Sequence, residues 1–119
     1  MKSTTEIYKG KRIFFARYDH MSVEELRSEV DEVKQELMRQ GDDYAPLVLV
    51  DTTGTIISPA VLDIYKDMAS FGGNHRAKTA LLGITGARKK IMEIISKFSK
   101  TAPVPFDDIE QAKEWLVSE

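Results

Sequence analysis

Two short apolar runs limit what this chain can fold into. "PLVLV" (46–50) and "KTALLGI" (78–84) are dense in aliphatic and β-branched residues and scarcely alternate with polar ones. A strand wet on one face alternates; an unbroken run of this length marks a strand covered on both faces, as in a parallel sheet. Parallel neighbours need crossovers, and the flanking segments have helical period. "SVEELRSEVDEVKQELMRQG" (22–41) carries Val23, Leu26, Val30, Val33 and Leu37 at spacings of three and four. It opens with a Ser22/Glu25 capping box and is closed by Gly41. Ser58-Pro59 sets a cap and an N1 proline before a second helix, with Val61, Leu62, Tyr65, Met68 and Ala69 inward. "FGGNHRA" (71–77) reads as a loop, and Gly86 leads into a third helix with Ile91, Ile94, Ile95 and Phe98 inward.

The two ends complete the pattern. "TEIYKGKRIFFARYD" (5–19) predicts two strands around Gly10-Lys11, with glycine placed for a type II′ turn. In "APVPFDDIEQAKEWL" (102–116), Pro103 and Pro105 alternate and turn their missing N–H groups to one side, which only an edge strand tolerates. Asp107 and Glu110 predict a second capping box, for a helix with Ile109, Ala112, Trp115 and Leu116 inward. The order is ββαβαβαβα. It predicts one α/β domain over residues 1–119, with a mixed, mostly parallel sheet, the hairpin at or near one edge and the proline strand at the other or beside it.

Composition removes several classes of function. With no cysteine, disulfides, thiolate metal sites and thiol nucleophiles are excluded. The longest apolar run, Ala45–Val50, is far short of the ~20 residues of a membrane span. The N-terminus has no apolar h-region, so a cytoplasmic protein is expected. Residues 19–43 hold nine acidic and three basic side chains, residues 76–100 seven basic and one acidic. These read as two solvated helix faces. No aromatics interleave with the basic residues, so nucleic acid is not an expected partner.

In open α/β sheets, ligands gather beyond the carboxyl ends of the strands. Here that rim holds Asp51-Thr52-Thr53, Thr85-Gly86 and Phe106-Asp107. In "GITGARKK" (83–90), Thr85, Gly86, Arg88 and Lys89 are candidates for a phosphate or carboxylate at a helix start. P-loop and dinucleotide spacings are both absent, and a tight turn explains the same glycines. Asp51 is expected to accept hydrogen bonds from the next turn and so stiffen the 52–55 loop. His20 and His75 are lone loop histidines without metal-ligand spacing. No catalytic residues, metal site or cofactor are expected, and an enzyme is the least favoured reading.

"VLVDTTGT" (48–55), "KTALLGITGARKKIMEIISKFS" (78–99) and "FDDIEQAKEWL" (106–116), taken with the element order, resemble a STAS domain (sulfate transporter and anti-sigma factor antagonist). The closer resemblance is to the SpoIIAA-like branch of that superfamily. It implies a four- or five-stranded sheet with helices chiefly on one face. It also implies a non-catalytic role in protein–protein regulation or ligand sensing. Anti-sigma antagonists of the superfamily are switched by phosphorylation of a serine at the start of the second helix. The matching position here is Ala60, or Pro59 with a one-residue slip, and neither carries a hydroxyl. Ser58, as the cap, has its oxygen committed to backbone N–H groups; Thr52 and Thr53 are the other hydroxyls in this regulatory loop. The expectation is a partner-binding module without the usual switch, docking through an exposed apolar patch of Ile57, Val61 and Ile64. Ile64 lies off the predicted inward stripe. A homodimer is one form this could take. The alternative is a small-ligand binder. SpoIIAA-like domains resemble CRAL-TRIO lipid-binding domains, so a lipid-like molecule would lie between the sheet and helices two and three. An anion or nucleotide at Thr85–Lys89 is the variant of that alternative.

Overall fold

The computed structural model describes residues 1–40, 45–84, 88–97 and 103–118. The chain runs β1 (Thr4–Tyr8), β2 (Lys11–Arg17), α1 (Val23–Met38), β3 (Leu47–Asp51), α2 (Pro59–Asn74), β4 (Lys78–Leu82), α3 (Arg88–Ser96), β5 (Val104–Phe106) and α4 (Ile109–Val117). The five strands form one sheet in chain order, antiparallel between β1 and β2 and parallel from β2 to β5. β1 of the hairpin and the proline strand β5 are the two edges, one of the arrangements the sequence reading allowed. Among the described residues, no helix is long and apolar enough to cross a membrane.

Strand side chains alternate between the two faces, and the core divides accordingly. Phe14, Ala16, Val48, Val50 and Leu81 point to the face covered by α1, α2 and α3. Ile13, Phe15, Leu49, Ala80 and Leu82 point to the other face, where Ala112 and Leu116 of α4 meet them. Three helices on one face and one on the other explain why β3 and β4 read as unbroken apolar runs. The single helix is fastened at its C-terminal end. Lys78 Nζ donates to the carbonyls of Trp115 (2.6 Å) and Ser118 (3.0 Å) while lying over the Trp115 ring. That places a cation at the negative end of α4.

Several local details differ from the sequence reading. The hairpin turn is Lys9-Gly10, one residue earlier than expected, and both residues have positive φ (48° and 80°). That is the type I′ signature, which suits the twist of the flanking strands. Helix α2 does not stop before the glycines but runs to Asn74, with Gly73 buried. It closes in a Schellman motif: Ala77 N–H donates to Gly72 O (2.8 Å) and Arg76 N–H to Gly73 O (3.2 Å), with Arg76 left-handed at φ 56°. Helix α4 is capped by Asp108, whose side chain accepts from Glu110 and Gln111, so Asp107 makes no capping box. Ile109 is then the first helical residue and is 37% exposed rather than inward. The Ser22/Glu25 box and the Ser58 cap form as predicted. Gly41 and Phe98 lie outside the described residues.

The first three residues are strapped across the end of β2. Ser3 N–H and Oγ donate to Glu29 of α1 (2.8 and 2.6 Å), and Arg17 N–H donates to Ser3 Oγ (2.9 Å). Asp19 receives the Arg17 guanidinium (3.0 Å) and Lys2 Nζ (3.3 Å). The Arg17 hydrogen bond holds the Asp19 carboxyl at about 2, against the opposing effect of burial. Burial acts to raise Glu29, but hydrogen bonds from Ser3 and Lys2 outweigh it and the group sits low. Both carboxyls are more acidic folded than unfolded, so their stabilisation is complete above the ordinary carboxylate range and is lost as pH falls through their folded values. Asp19→Asn should lower stability by about 1–2 kcal/mol at neutral pH, after allowance for solvent screening of its half-exposed partners. The gap from wild type should close as pH falls from about 4 to about 2, as read by urea unfolding across that range.

Candidate functional site

The carboxyl ends of β2, β3 and β4 share one rim, and their loops are sewn to each other there. Pairing continues past the strands: Tyr18 N–H donates to Asp51 O (2.9 Å), His20 N–H to Thr53 O (2.8 Å) and Thr52 N–H to Leu82 O (2.9 Å). Thr52 is 3% exposed, and its hydroxyl also donates to Leu82 O (2.8 Å). Thr55, equally buried, donates to Tyr18 O (2.5 Å) and accepts from Met21 N–H (3.1 Å), joining the β3–α2 loop to the β2–α1 loop. Asp51 Oδ1 accepts from Thr53 N–H (3.0 Å) and Thr53 Oγ1 (2.6 Å), which is the turn-stiffening role expected of it.

Two glycines permit the close approach of these loops. A Cβ on Gly83 (φ 86°) would lie 2.5 Å from both the N and Oγ1 of Thr53. A Cβ on Gly54 (φ 75°) would collide with the His20 imidazole, and His20 itself takes positive φ (52°). The loop is thus held from both neighbours, yet it leaves Ile56 83% and Ile57 41% exposed. Beside them is a groove of about 410 Å³ formed by His20, Met21, Val23, Ile56 and Val61.

The hydroxyls of this loop are largely committed. Ser58 Oγ accepts from Val61 N–H (3.2 Å) as the α2 cap. Thr52 is buried, and Thr53 is exposed but bonded to Asp51. Ala60 stands exposed in the first turn of α2 with no hydroxyl to offer.

The expected patch of Ile57, Val61 and Ile64 is corrected. Val61 and Ile64 are 1% and 6% exposed and belong to the core. Helix α2 is the middle one of three and packs on α1, α3 and the sheet, so its buried arc is wider than one stripe. Ile57 does face solvent, and the larger exposed residue is its neighbour Ile56, which the sequence reading missed. Its signal was present: an apolar pair outside any strand or helix period, between the Gly54 turn and the Ser58-Pro59 cap. The groove residues His20, Met21 and Val23 were also missed, because they come from the β2 end of the rim. Of the anion candidates, Thr85 and Gly86 lie outside the described residues, and the description of Arg88 and Lys89 is confined to their backbone in α3. The histidines lie apart: His20 is in the β2–α1 loop against Gly54, and His75 is the C-cap of α2. Among the described residues, no three His, Asp or Glu side chains converge as metal ligands.

The fold therefore defines an α/β domain whose candidate site is a stiff strand–helix loop at the carboxyl rim. No family model matches the chain. It is similar to the dihydroorotase of Anoxybacillus flavithermus (strain DSM 21510 / WK1), at 29% identity over 87 residues. That match covers 73% of this chain and 19% of the dihydroorotase, so the chain spans about a fifth of that protein's length.

Gly83→Ala should cost at least about 2 kcal/mol, from left-handed strain plus the collision with Thr53. Ser58→Ala, which removes one capping bond, should cost about 1 kcal/mol. Denaturant unfolding of both variants checks the order; a smaller loss for Gly83→Ala would contradict the close seam between β4 and the loop.

Proposed function

We propose that this protein is a non-catalytic, cytoplasmic STAS-like module that binds a partner protein through the β3–α2 loop. The observation carrying the reading is the exposed Ile56–Ile57 pair on a loop whose backbone is already fixed by Thr52, Thr55 and Asp51. Covering two such side chains is worth on the order of 3 kcal/mol, and a fixed loop loses little entropy on docking. The adjoining groove offers Met21 and Val23 as an apolar wall beside His20. Phosphate control at the usual position has no acceptor, since Ala60 stands there. A phosphate on Thr53 would also meet the Asp51 carboxylate that its hydroxyl now contacts. The similarity to a stretch of a dihydroorotase adds no activity to this reading, because that stretch is a minor part of that enzyme.

Photo-crosslinking tests the proposal. With p-benzoylphenylalanine at position 56, cells that naturally contain the chain should yield one discrete heavier adduct, and the same probe at Glu24 on the solvent side of α1 should not. An adduct of twice the chain's own mass would identify the partner as a second copy. No adduct specific to position 56 would remove the reading. The double variant Ile56→Asp/Ile57→Asp should lose the partner while its melting temperature stays within about 2 °C of wild type, since neither side chain is part of the core.

A further inference from the structure

Beneath the three-helix face lies a cavity of about 70 Å³, distinct from the rim groove. Its floor is β3 and β4, with Val48 and Leu81, and its walls are Val33 of α1 and Tyr65 and Ala69 of α2. The half-buried Lys34 of α1, Phe71 of α2 and His75 at the α2 C-cap also line it, so its more open side, the mouth, lies along the C-terminal half of α2. The walls are almost wholly apolar, with one exception that is not explained by packing. Tyr65 is 2% exposed, and its hydroxyl has no hydrogen-bond partner among the described residues. Thr52 stands near enough to favour the phenolate slightly but is not placed for a hydrogen bond, and its own proton goes to Leu82 O. Burial pushes the Tyr65 hydroxyl up to about 12, so it remains a donor at any physiological pH.

We propose that this cavity is a binding site for a small neutral amphiphile, whose carbonyl-type acceptor receives the Tyr65 hydrogen bond and whose apolar tail leaves along the C-terminal half of α2. The volume sets the scale. At the ~30 Å³ that a liquid water occupies, the cavity has room for roughly two or three non-hydrogen atoms, the size of an acetyl head. A longer molecule fits only by extending through the mouth. An ionised head is disfavoured, because a buried carboxylate needs a paired cation, and Lys34 at the mouth is already paired with Asp67. Water alone is a poor occupant, since it needs two to four polar partners and this lining is overwhelmingly apolar.

The test is a methyl NMR titration of the full chain with 2-hexanone, which has an acetyl head and a short tail. Saturable shifts are expected at Val48, Ala69 and Leu81, with Ile56 at the rim unmoved. Tyr65→Phe should weaken binding about tenfold while leaving the melting temperature unchanged or higher, because the hydroxyl it deletes has no partner among the described residues. Ala69→Val, which adds methyl groups into the same space, should abolish binding. Absence of saturable shifts in wild type would overturn the proposal. Equal affinity in Tyr65→Phe, or undiminished binding by Ala69→Val, would do the same.

Discussion

A crossover between neighbouring parallel strands packs back onto the sheet in the right-handed sense, and here β2 to β5 lie in chain order. Each crossover therefore steps in the same direction and lays its helix on the same face. That is why α1, α2 and α3 share one core, while α4, which follows the edge strand β5 and is no crossover between described strands, covers the other. The same constraint brings the carboxyl ends of β2, β3 and β4 to one rim. Their loops run beside one another with backbone groups that must be paired, and the threonines of residues 52–55 do the pairing.

The chemistry of that loop follows from where its hydroxyl groups are used. Thr52 sends both its N–H and its hydroxyl to Leu82 O, and Thr55 bridges to Tyr18 and Met21. Ser58 is occupied in capping α2. A hydroxyl committed to holding loops together is hard to modify without opening them, because the buried partner would be left unsatisfied. What the loop leaves for other molecules is apolar: two isoleucines with no place in either core.

The order of elements along the chain was legible because each rests on a period or a cap written locally, such as the Ser22/Glu25 box and Ser58-Pro59, whereas the order of strands in the sheet was bounded only at its edges. The errors arose where a local sign was overruled by a neighbour distant in sequence. The Gly72-Gly73 pair reads as a helix stop, yet Gly73 is buried and Gly72 accepts the Schellman bond from Ala77, so the helix runs through. Ile64 falls off a one-sided stripe but is buried, because α2 has a helix on either flank. Asp107 and Asp108 are equivalent caps in sequence, and the choice between them sets which face Ile109 presents. The rim groove was only half visible for the same reason. Met21 and Val23 face Ile56 only because β2 and β3 are adjacent, a fact of topology rather than of pattern.

Local rules are broken in this chain at a few identifiable places, and their distribution is uneven. Arg76 in a left-handed conformation is explained by the Schellman closure it completes, and Lys9 by its hairpin turn. His20 has no such local motif; it takes positive φ directly against Gly54, at the rim. Ile56 is exposed on the β3–α2 loop that carries Gly54, and Tyr65 lies one helical turn beyond Val61, which lines the rim groove. An unpaired buried hydroxyl costs roughly 1–3 kcal/mol, and phenylalanine would fill the same space without that cost. Two adjacent exposed isoleucines gain nothing from folding, and burial of their apolar surface is left to a contact with another molecule. Proteins that depart from consistency tend to do so where they meet something else. Here the three unexplained departures, His20, Ile56 and Tyr65, all lie on or beside one helix, α2, whose first turn borders the groove and whose second lines the cavity.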